Sequence, residues 1–579
     1  MKSLRRNAAY LHSIAKLIIK HDIFSIALLL SIVILFAYKD LPGIYFLNDE
    51  WLHISSIYVH GLGAGLSDFS ILQILGGKER PLGNIIYNIF ITRFGLEPLP
   101  FVFLFYILHW INSLLCYVLA KRITRSSGIA AGAALFFAVS GRSEQALSWI
   151  GAGVQTLLST TMMMLSLKAF YEFIDTKRSV KLFFSILWIY VAFLCKEQAA
   201  IMIFVLPVIY LFECRGKRNL EIPKKYWLIC IALCVLLLQP FLTRYHISFG
   251  QMPLLIHQEW FQHAVFNSFY IPFLALGQFF IPYELMYRIA HWFFTFTYPF
   301  MALDPNAESI EHMILSDVFS FVTALLFLFV ISYTMIKIKY LRRALYTCLS
   351  FFFILTLPLA LVLFKRESSY VESRYVYFIT FPFSIMLSSI VYEGIQWCNR
   401  RKYFRTILVS IVIILYGCFL YKNALVAARE VRLTSIRSRE IRSGFNLFRT
   451  IDYLIPDNPI FYVTSDREYY YPNNFLPFQL GSGFMLMMAY YPKGIIPNEL
   501  MEKKFLWSYT SQGYEEADGK GFGYFWNKKD ILALYQRNDM LLPEQLIGLN
   551  YNSKEQTIEN ISSDIQDYVR RNRYVYSTY

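Results

Sequence analysis

The sequence predicts an all-α, multi-pass membrane bundle with a small α/β domain at its C-terminal end. The chain of 579 residues is 56% hydrophobic and only 16% charged, with a mean hydropathy of +0.42, which is too apolar for a soluble protein of this size. Long apolar stretches recur over the first 421 residues, and Lys and Arg concentrate in the short segments between them. The formal net charge of +15 therefore indicates orientation in a membrane and not binding to nucleic acid.

Eleven apolar stretches predict membrane-spanning helices. Several are shorter than the ~20 residues that a spanning helix needs, so their ends are approximate. Two further stretches, 264–282 and 289–303, are interrupted by proline, and they predict either re-entrant or interfacial segments or two more spans, for a total of eleven to thirteen. The eleven predicted spans are 23–38, 101–120, 128–140, 152–170, 182–195, 199–212, 227–241, 316–336, 344–364, 376–395 and 406–421.

The distribution of basic residues predicts a cytoplasmic N-terminus and an extracytoplasmic C-terminal domain. The segments that this topology places in the cytoplasm hold 24 Lys and Arg in 67 residues, whereas the segments outside hold 11 in 162. In membrane proteins the loops with the excess of Lys and Arg are typically cytoplasmic. The basic N-terminus followed by an apolar stretch predicts a retained signal anchor. The large outside regions lack cysteine and the tail lacks an endoplasmic-reticulum retrieval signal, which favours a bacterial cytoplasmic (inner) membrane.

The composition divides the chain into three parts. Residues 1–421 predict the transmembrane domain, whose first external loop is 39–100. Residues 422–450 are basic on one side and predict an amphipathic linker helix, and residues 451–579 predict a soluble extracytoplasmic domain. About 130 residues are enough for one small domain with its own core.

Within the C-terminal part, short apolar runs predict two strands, Pro459–Ser465 and Gly523–Asn527. The segment Ile558–Arg571 predicts a helix, because Ile558, Ile561, Ile565 and Val569 recur at helical spacing. No motif with evident catalytic chemistry occurs there, so the candidate site must come from the loops of the transmembrane domain.

The first external loop is longer than the ~12–15 residues of an ordinary connection, and two of its stretches are charged. NDEW near its start contains the carboxylates Asp49 and Glu50, and GGKERPLGN contains Lys78 and Arg80. Two amphipathic helices are predicted within the loop. Each charged pair also has a structural interpretation: Asp49 as the N-cap of the helix that follows it, and the two cations as contacts to lipid headgroups.

Three further outside loops place ionisable residues where they are costly. VSGRSEQALSW contains Arg142 and Glu144, FLCKEQAA contains Lys196 and Glu197, and FKRESSYVESRYVYF contains Arg374. Charges at membrane depth usually face an interior cavity and pair with each other or with a ligand. The pattern predicts a cavity for an anionic substrate on the outer face, with structural ion pairs between helix ends as the alternative.

The layout resembles the GT-C superfamily of polyprenyl-phosphate-sugar-dependent glycosyltransferases, in particular the protein O-mannosyltransferase branch. Asp49–Glu50 is similar in place and type to the acidic motif of the family's first external loop. The stretches 143–173 and 193–212 are similar to paired E…W…G and KE…P…Y blocks of transmembrane O-mannosyltransferases with tetratricopeptide repeats, and ESRYVY at 372–377 is similar to their Arg-Tyr motif. No tetratricopeptide tail follows, and KERPLGN is only loosely similar to the basic segment of aminoarabinose transferases.

The resemblance implies a multi-helix bundle that binds a polyprenyl-phosphate-linked sugar at the outer leaflet. The implied partners are this donor, membrane lipid, and an acceptor glycan, lipid or protein; the sugar and the acceptor stay open. Asp49 is the predicted general base for the acceptor hydroxyl, and Glu50 is predicted to position the acceptor or to tune Asp49. The predicted donor phosphate ligands are Arg374, Arg80 and Lys78, and the predicted supporting residues are Glu144, Arg142, Lys196 and Glu197.

Direct displacement at the anomeric carbon predicts inversion, because no second carboxylate has to act as nucleophile. The sequence identifies no cofactor with certainty. A divalent metal stays open, with Glu144 and the histidines at positions 53 and 60 as conceivable ligands.

Two other functions are compatible with the outer-face charges. A transporter or flippase for a lipid-linked or anionic glycan precursor would place charges near the bilayer midplane and would show repeated halves, but these charges cluster at the rim. An O-antigen polymerase or ligase would carry arginine-rich loops late in the chain, whereas here an acidic pair occurs early. The sequence therefore favours the transferase.

Overall fold

The computed structural model shows a helical bundle followed by a small α/β domain, which confirms the predicted fold class. It describes residues 22–47, 50–60, 80–214, 258–281, 285–286, 288–289, 292, 305–362, 371–399, 405–449, 460–465, 485–486, 488–489, 507–510, 513–516, 523–525, 527–552 and 554–573.

The bundle consists of long helices joined by short turns, and ten of the eleven predicted spans coincide with helices. The remaining span, 227–241, lies outside the described residues. In chain order the helices are α1 Asp22–Ala37, α2 Glu50–His60, α3 Pro81–Phe94, α4 Leu99–Thr124, α5 Ser127–Val139, α6 Glu144–Ser148, α7 Ile150–Thr176, α8 Ser179–Cys195, α9 Met202–Cys214, α10 Gln258–Phe280, α11 Pro305–Lys337, α12 Lys339–Val362, α13 Ser373–Val376, α14 Thr380–Asn399 and α15 Arg405–Phe448.

Five of the described helices, α4, α7, α11, α12 and α15, are long and apolar enough to cross a membrane, and α1, α5, α8 and α10 contribute shorter apolar segments. A backbone in lipid must satisfy its hydrogen bonds within the segment, so apolar stretches of this kind form helices. These helices support the predicted integral membrane protein, and the sidedness stays a prediction.

Helix α7 is at the centre of the bundle and packs against α8 and α4. In its apolar window 67% of the residues are buried, against 11% in the corresponding window of α15. Exposed apolar side chains such as Phe329 on α11 and Leu415 on α15 point outward, as expected where lipid replaces water. The helices therefore differ in environment: α7 is an internal helix and α15 a peripheral one.

Two predicted segments have a different form in the structure. Residues 264–280 belong to one continuous helix, α10, which passes through Pro272 and buries Leu274 and Phe279; residue 282 and most of 289–303 lie outside the described residues. The predicted span 406–421 and the predicted linker 422–450 form the single 44-residue helix α15. No proline or glycine pair interrupts this sequence, so the helix continues and its second half packs against α6.

The C-terminal domain contains a four-stranded sheet in the order β4-β1-β5-β6 and a separate hairpin, β2-β3. Strand β1 is parallel to β4 and β5, and β6 is antiparallel to β5. The strands are β1 Ile460–Ser465, β2 Trp507–Thr510, β3 Gly513–Glu516, β4 Gly523–Phe525, β5 Leu546–Asn552 and β6 Thr557–Asn560, and the helices are α16 Lys528–Arg537 and α17 Ser562–Asn572. Both predicted strands are confirmed.

The predicted helix 558–571 is wrong at its start. Residues Thr557–Asn560 form β6, and α17 begins at Ser562. The Asn560 side chain accepts a hydrogen bond from the Ser562 backbone N–H at 3.0 Å, which separates the strand from the helix. Ile565 and Val569 of the predicted apolar stripe are buried on α17, so the helical spacing was correct for that part.

We expect Gly277→Ala to destabilise the bundle. Gly277 lies where α10 meets α11, and a Cβ there would come within 2.1 Å of the Ser320 carbonyl oxygen. Because the obstacle is backbone, the helices must move apart, at a cost of about 1–3 kcal/mol. Thermal unfolding of the purified protein in detergent measures the effect. Gly417→Ala on α15 is the matched control, since no atom of the described residues, apart from the backbone of its own helix turn, lies within 4 Å of its Cβ position; equal midpoints for the two variants would contradict the close approach.

Candidate functional site

The described members of the predicted site meet at one end of the bundle, around the amino end of α7 and the segment before it. Four separate parts of the chain reach this place: the start of α2, the start of α3, the turn after α8, and the segment that contains α13. The contacts that join them to the α7 end are Glu50 to Gly151, Arg80 to Gln155, Lys196 to Thr156, and Arg374 to Trp149.

Glu50 is buried, and backbone amides hold its carboxylate. Its Oε2 accepts from the Leu47 N–H at 2.7 Å, and its Oε1 accepts from the N–H of Gly151. A helix begins with backbone N–H groups that lack partners in the helix itself. Glu50 therefore ties the start of α2 to the start of α7.

Arg80 forms hydrogen bonds with all three of its guanidinium nitrogens. Its Nε and Nη2 bind the two oxygens of Glu197 at 2.8 and 2.6 Å, and Nη1 donates to the Gln155 side chain at 2.8 Å. Burial alone would raise the pKa of the Glu197 carboxyl group. The hydrogen bonds and positive charge of Arg80 outweigh this effect, so the pKa is lowered. Both side chains remain about one third exposed, so a bidentate pair lies at the edge of the site.

Lys196 lies under this pair and is buried. Its Nζ donates to the Thr156 hydroxyl at 2.9 Å and to the Arg374 carbonyl oxygen at 3.0 Å. Burial lowers the pKa of the Lys196 ammonium group to about 7, against the opposite effect of Glu197. Lys196 thereby joins the turn after α8 to the segment that contains α13.

Arg374 is held between aromatic rings and a carboxylate. Its guanidinium lies 4.2 Å from the Trp149 ring centroid and 5.0 Å from that of Tyr375, and its Nε is 2.6 Å from Glu372 Oε2. Stacking of this kind is favourable for a planar guanidinium. The Arg374 side chain keeps 21% of its surface exposed, so it is oriented and still accessible.

Glu144 and Arg142 lie deeper and fix the backbone of the same segment. Ser373 Oγ and the Gln145 N–H both donate to the Glu144 carboxylate. The Arg142 guanidinium donates to the Gln278 side chain at 3.2 Å and to the Val371 carbonyl. Burial raises the pKa of Glu144 to about 7, against the lowering by Ser373 and Arg142. These two residues position the Arg374 segment.

Asp49 and Lys78, the predicted general base and one predicted phosphate ligand, lie outside the described residues. The groups that sequence reasoning missed are neutral or aromatic: Gln155, Gln145, Ser373, Trp149 and Tyr375 bind the predicted charged residues. The sequence could have indicated these residues only by their position. Gln145, Trp149, Ser373 and Tyr375 lie within five residues of Glu144 or Arg374, and Gln155 lies near the start of α7, the helix that follows Glu144 and Trp149. Among the described residues, no three His, Cys, Asp or Glu side chains are grouped so that they could hold a metal ion.

A sequence profile of the dolichyl-phosphate-mannose-protein mannosyltransferase family matches residues 78–243. This match confirms, for that part of the chain, the resemblance found in the sequence. It includes Arg80, Arg142, Glu144, Lys196 and Glu197. No curated protein matches the sequence.

Several solved structures are similar to this chain, and three of them, each at 12% sequence identity, are as follows. The apo oligosaccharyltransferase of Archaeoglobus fulgidus gives a TM-score of 0.42, covering 76% of this chain and 62% of that chain. Oligosaccharyltransferase AglB from the same organism, in complex with an inhibitory peptide and a dolichol-phosphate, gives 0.42, covering 83% and 64%. ArnT from Cupriavidus metallidurans bound to undecaprenyl phosphate gives 0.36, covering 82% and 90%. The chain spans less than two thirds of the archaeal enzymes.

We expect Glu144→Gln to become more stable relative to the unsubstituted protein as pH rises from about 4.5 to about 7. A carboxyl group with a raised pKa binds a proton in the folded state over this range and has lost it in the unfolded state, so the unsubstituted protein loses stability with rising pH. The glutamine side chain of the variant cannot titrate. The difference in the free energy of unfolding should change by on the order of 2–3 kcal/mol across the window, as thermal unfolding at a series of pH values would show.

The matched control for this prediction is Glu555→Gln, which changes an exposed carboxyl group in the C-terminal domain. Its unfolding midpoint should run parallel to that of the unsubstituted protein at all pH values. A Glu144→Gln variant that also ran parallel would show that the pKa of Glu144 is not raised in the folded protein.

Proposed function

We propose that this protein is a membrane glycosyltransferase that moves a sugar from a polyprenyl-phosphate donor to an acceptor hydroxyl at the predicted outer face of the membrane. The observation that carries the proposal is the match to the mannosyltransferase family over residues 78–243. That part of the chain contributes Arg80, Glu144, Lys196 and Glu197, which meet other charged segments around the amino end of α7.

The proposed reaction is a direct displacement. The acceptor oxygen forms a bond to the anomeric carbon while the bond from that carbon to the phosphate oxygen breaks. The configuration at the anomeric carbon is inverted. Asp49 takes the proton of the acceptor hydroxyl, and the lipid leaves as polyprenyl phosphate. A positioned base of this kind typically contributes about 10²–10⁴-fold to the rate.

The role of Glu50 is to fix the chain next to Asp49. Both of its oxygens accept from backbone amides, those of Leu47 and Gly151, which supports a positioning role over direct contact with the acceptor. Because Asp49 adjoins it in the chain, the anchored Glu50 limits where the Asp49 backbone can lie.

The cations stabilise the charge that grows on the departing phosphate. Arg374 is the main phosphate ligand in this proposal: Trp149 supports one face of its guanidinium, and Glu372 binds Nε, so the remaining N–H groups are oriented before the donor arrives. Preorganised donors of this kind do not reorient during the reaction. Arg80 has Glu197 and Gln155 as comparable supports, and Lys78 completes the proposed set.

Lys196 positions Arg374 and does not itself bind the donor. Its ammonium group donates to the Arg374 carbonyl and to Thr156 on α7. These two hydrogen bonds fix the position of the Arg374 backbone relative to the start of α7. The stacked guanidinium group is therefore held in one position.

Asp49→Asn should lower transfer by about 10²–10⁴-fold, the range of a positioned base, while leaving donor binding intact. The measurement is radiolabelled sugar transferred from a polyprenyl-phosphate sugar to acceptor in proteoliposomes that contain the full-length protein. Asp40→Asn, in the same predicted loop, is the control and should retain activity. If Asp49→Asn transfers sugar at the rate of Asp40→Asn, Asp49 is not the base; if label crosses the bilayer still bound to lipid, the protein is a flippase.

Arg374→Ala should raise the KM for the donor about tenfold or more, because a charge-assisted contact to phosphate is lost. Arg374→Lys should recover part of the loss, since the charge remains without the planar fork. Initial rates at varied donor concentration separate KM from kcat. Arg93→Lys changes an exposed arginine on α3 and should leave both constants unchanged; unchanged donor use by Arg374→Ala would remove Arg374 from the site.

A further inference from the structure

A cavity with a basic lining lies at the end of the bundle opposite the candidate site. Its volume is about 760 Å³, and it is enclosed by the ends of α4, α5, α9 and α12 together with Tyr392 of α14. The volume is within the roughly 300–1,000 Å³ of small-molecule sites. Helix α7 connects the two places: Thr156 contacts the candidate site, and Tyr171 lies about 22 Å farther along the axis, beneath the guanidinium of Arg122.

Three arginines line this cavity, and two of them are held in place by carboxylates. Arg122 binds Asp175 with two nitrogens. Arg343 lies 2.5 Å from Glu213, the one carboxylate in the described lining. Each of these pairs fixes a guanidinium in one orientation while leaving part of it exposed.

The third arginine, Arg125, provides the excess positive charge. It ends α4 with a left-handed backbone at φ 57°, its side chain is exposed, and no described residue forms a hydrogen bond or ion pair with its guanidinium. An L-residue rarely adopts such a backbone, which costs on the order of 1 kcal/mol. The conformation turns the chain sharply between α4 and α5, and it brings Arg125 and the first residues of α5 to the same cavity.

The amino end of α5 adds a further positive element. Ser126 caps this 13-residue helix by accepting from the Ile129 N–H at 3.3 Å, and Ser127 and Gly128 line the cavity. Amide groups at a helix start attract anions through the helix dipole. The described lining therefore holds three guanidinium groups and a helix amino end against Glu213. Two further carboxylates contact lining residues from outside: Asp175 pairs with Arg122, and Glu393 accepts from the Tyr340 hydroxyl.

We propose that this cavity binds the phosphate group of an anionic lipid. Tyr340 on α12 lines it and is 61% exposed, and Ile336 at the nearby end of α11 is 68% exposed, with the exposed Lys337 and Lys339 between them. Acyl chains can lie against such a surface while the phosphate enters the basic cavity. The positive-inside pattern predicts that this end faces the cytoplasm, where basic pockets between helices bind anionic headgroups.

The cavity is separate from the candidate transferase site, so the proposal does not depend on that activity. The phosphate could come from a lipid or from free phosphate, and both present the same group to the arginines. Lipid is favoured because the cavity opens beside exposed aromatic and apolar side chains, and tyrosine is enriched where membranes meet water.

The test is a titration of the full-length protein, purified in neutral detergent, with phosphatidylglycerol, phosphatidylcholine or inorganic phosphate, and bound lipid is counted by native mass spectrometry. We expect phosphatidylglycerol to bind in preference to phosphatidylcholine. Arg125→Gln should weaken that binding about fivefold to tenfold, and Arg125→Lys should retain most of it. Arg178→Gln, an exposed arginine at the same predicted face outside the cavity, should behave as the unsubstituted protein.

The proposal is overturned by equal binding of the two lipids by the unsubstituted protein, by equal phosphatidylglycerol binding by Arg125→Gln and Arg178→Gln, or by the phosphate result that follows. Inorganic phosphate distinguishes the sources. If it fails to displace phosphatidylglycerol, the occupant is a lipid; if it displaces the lipid at comparable concentration, the cavity is a phosphate site without lipid selectivity, and the lipid assignment is wrong. Arg125 is exposed, so its substitution tests binding without endangering the fold.

Discussion

The hydrogen bond from the Gly151 N–H to Glu50 is the contact on which the arrangement of the candidate site depends. The first amides of α7 have no partner within the helix, and a buried amide left unpaired costs on the order of 1–3 kcal/mol. The Glu50 carboxylate supplies that partner. Gly151 leaves room for it, because a Cβ there would lie 3.1 Å from Glu50 Oε1. One contact thus pairs a partly buried amide and ties the first predicted external loop to α7.

The charged residues gathered around this point contribute orientation more than stability. Ion pairs at a partly exposed surface are worth little, and buried pairs must first offset the loss of water around each charge. Arg80 with Glu197 and Gln155, and Arg374 with Glu372 and Trp149, are instead arranged so that each planar guanidinium group is held in a fixed orientation. Such an arrangement suits a site that receives an anion, and it explains why these charges occupy costly positions at the bundle end.

A neutral polar network inside the bundle supports the segment that carries Arg374. The His109 ring lies between α4, α5 and the residue after α13: Nε2 donates to the Ala138 carbonyl at 3.0 Å, so Nδ1 is the acceptor for the Tyr377 hydroxyl at 2.7 Å. Asn112 contacts the same hydroxyl, and Thr161 of α7 donates to Asn112 at 2.8 Å. Polar side chains in a helical bundle are commonly satisfied by each other. Here they connect three helices to the backbone next to the site.

The sequence by itself determined which stretches are helices in the bundle, because a chain in lipid must satisfy its own backbone hydrogen bonds and apolar length alone identifies such stretches. It also identified the loops whose charges are costly, including those of Arg80, Lys196 and Arg374. Only the tertiary structure decided that Arg80 pairs with Glu197, 117 positions away, that Glu50 binds the start of α7, and that residues 405–448 are one helix. These outcomes depend on which helix ends packing brings together, and hydropathy and helical spacing describe each segment without its neighbours.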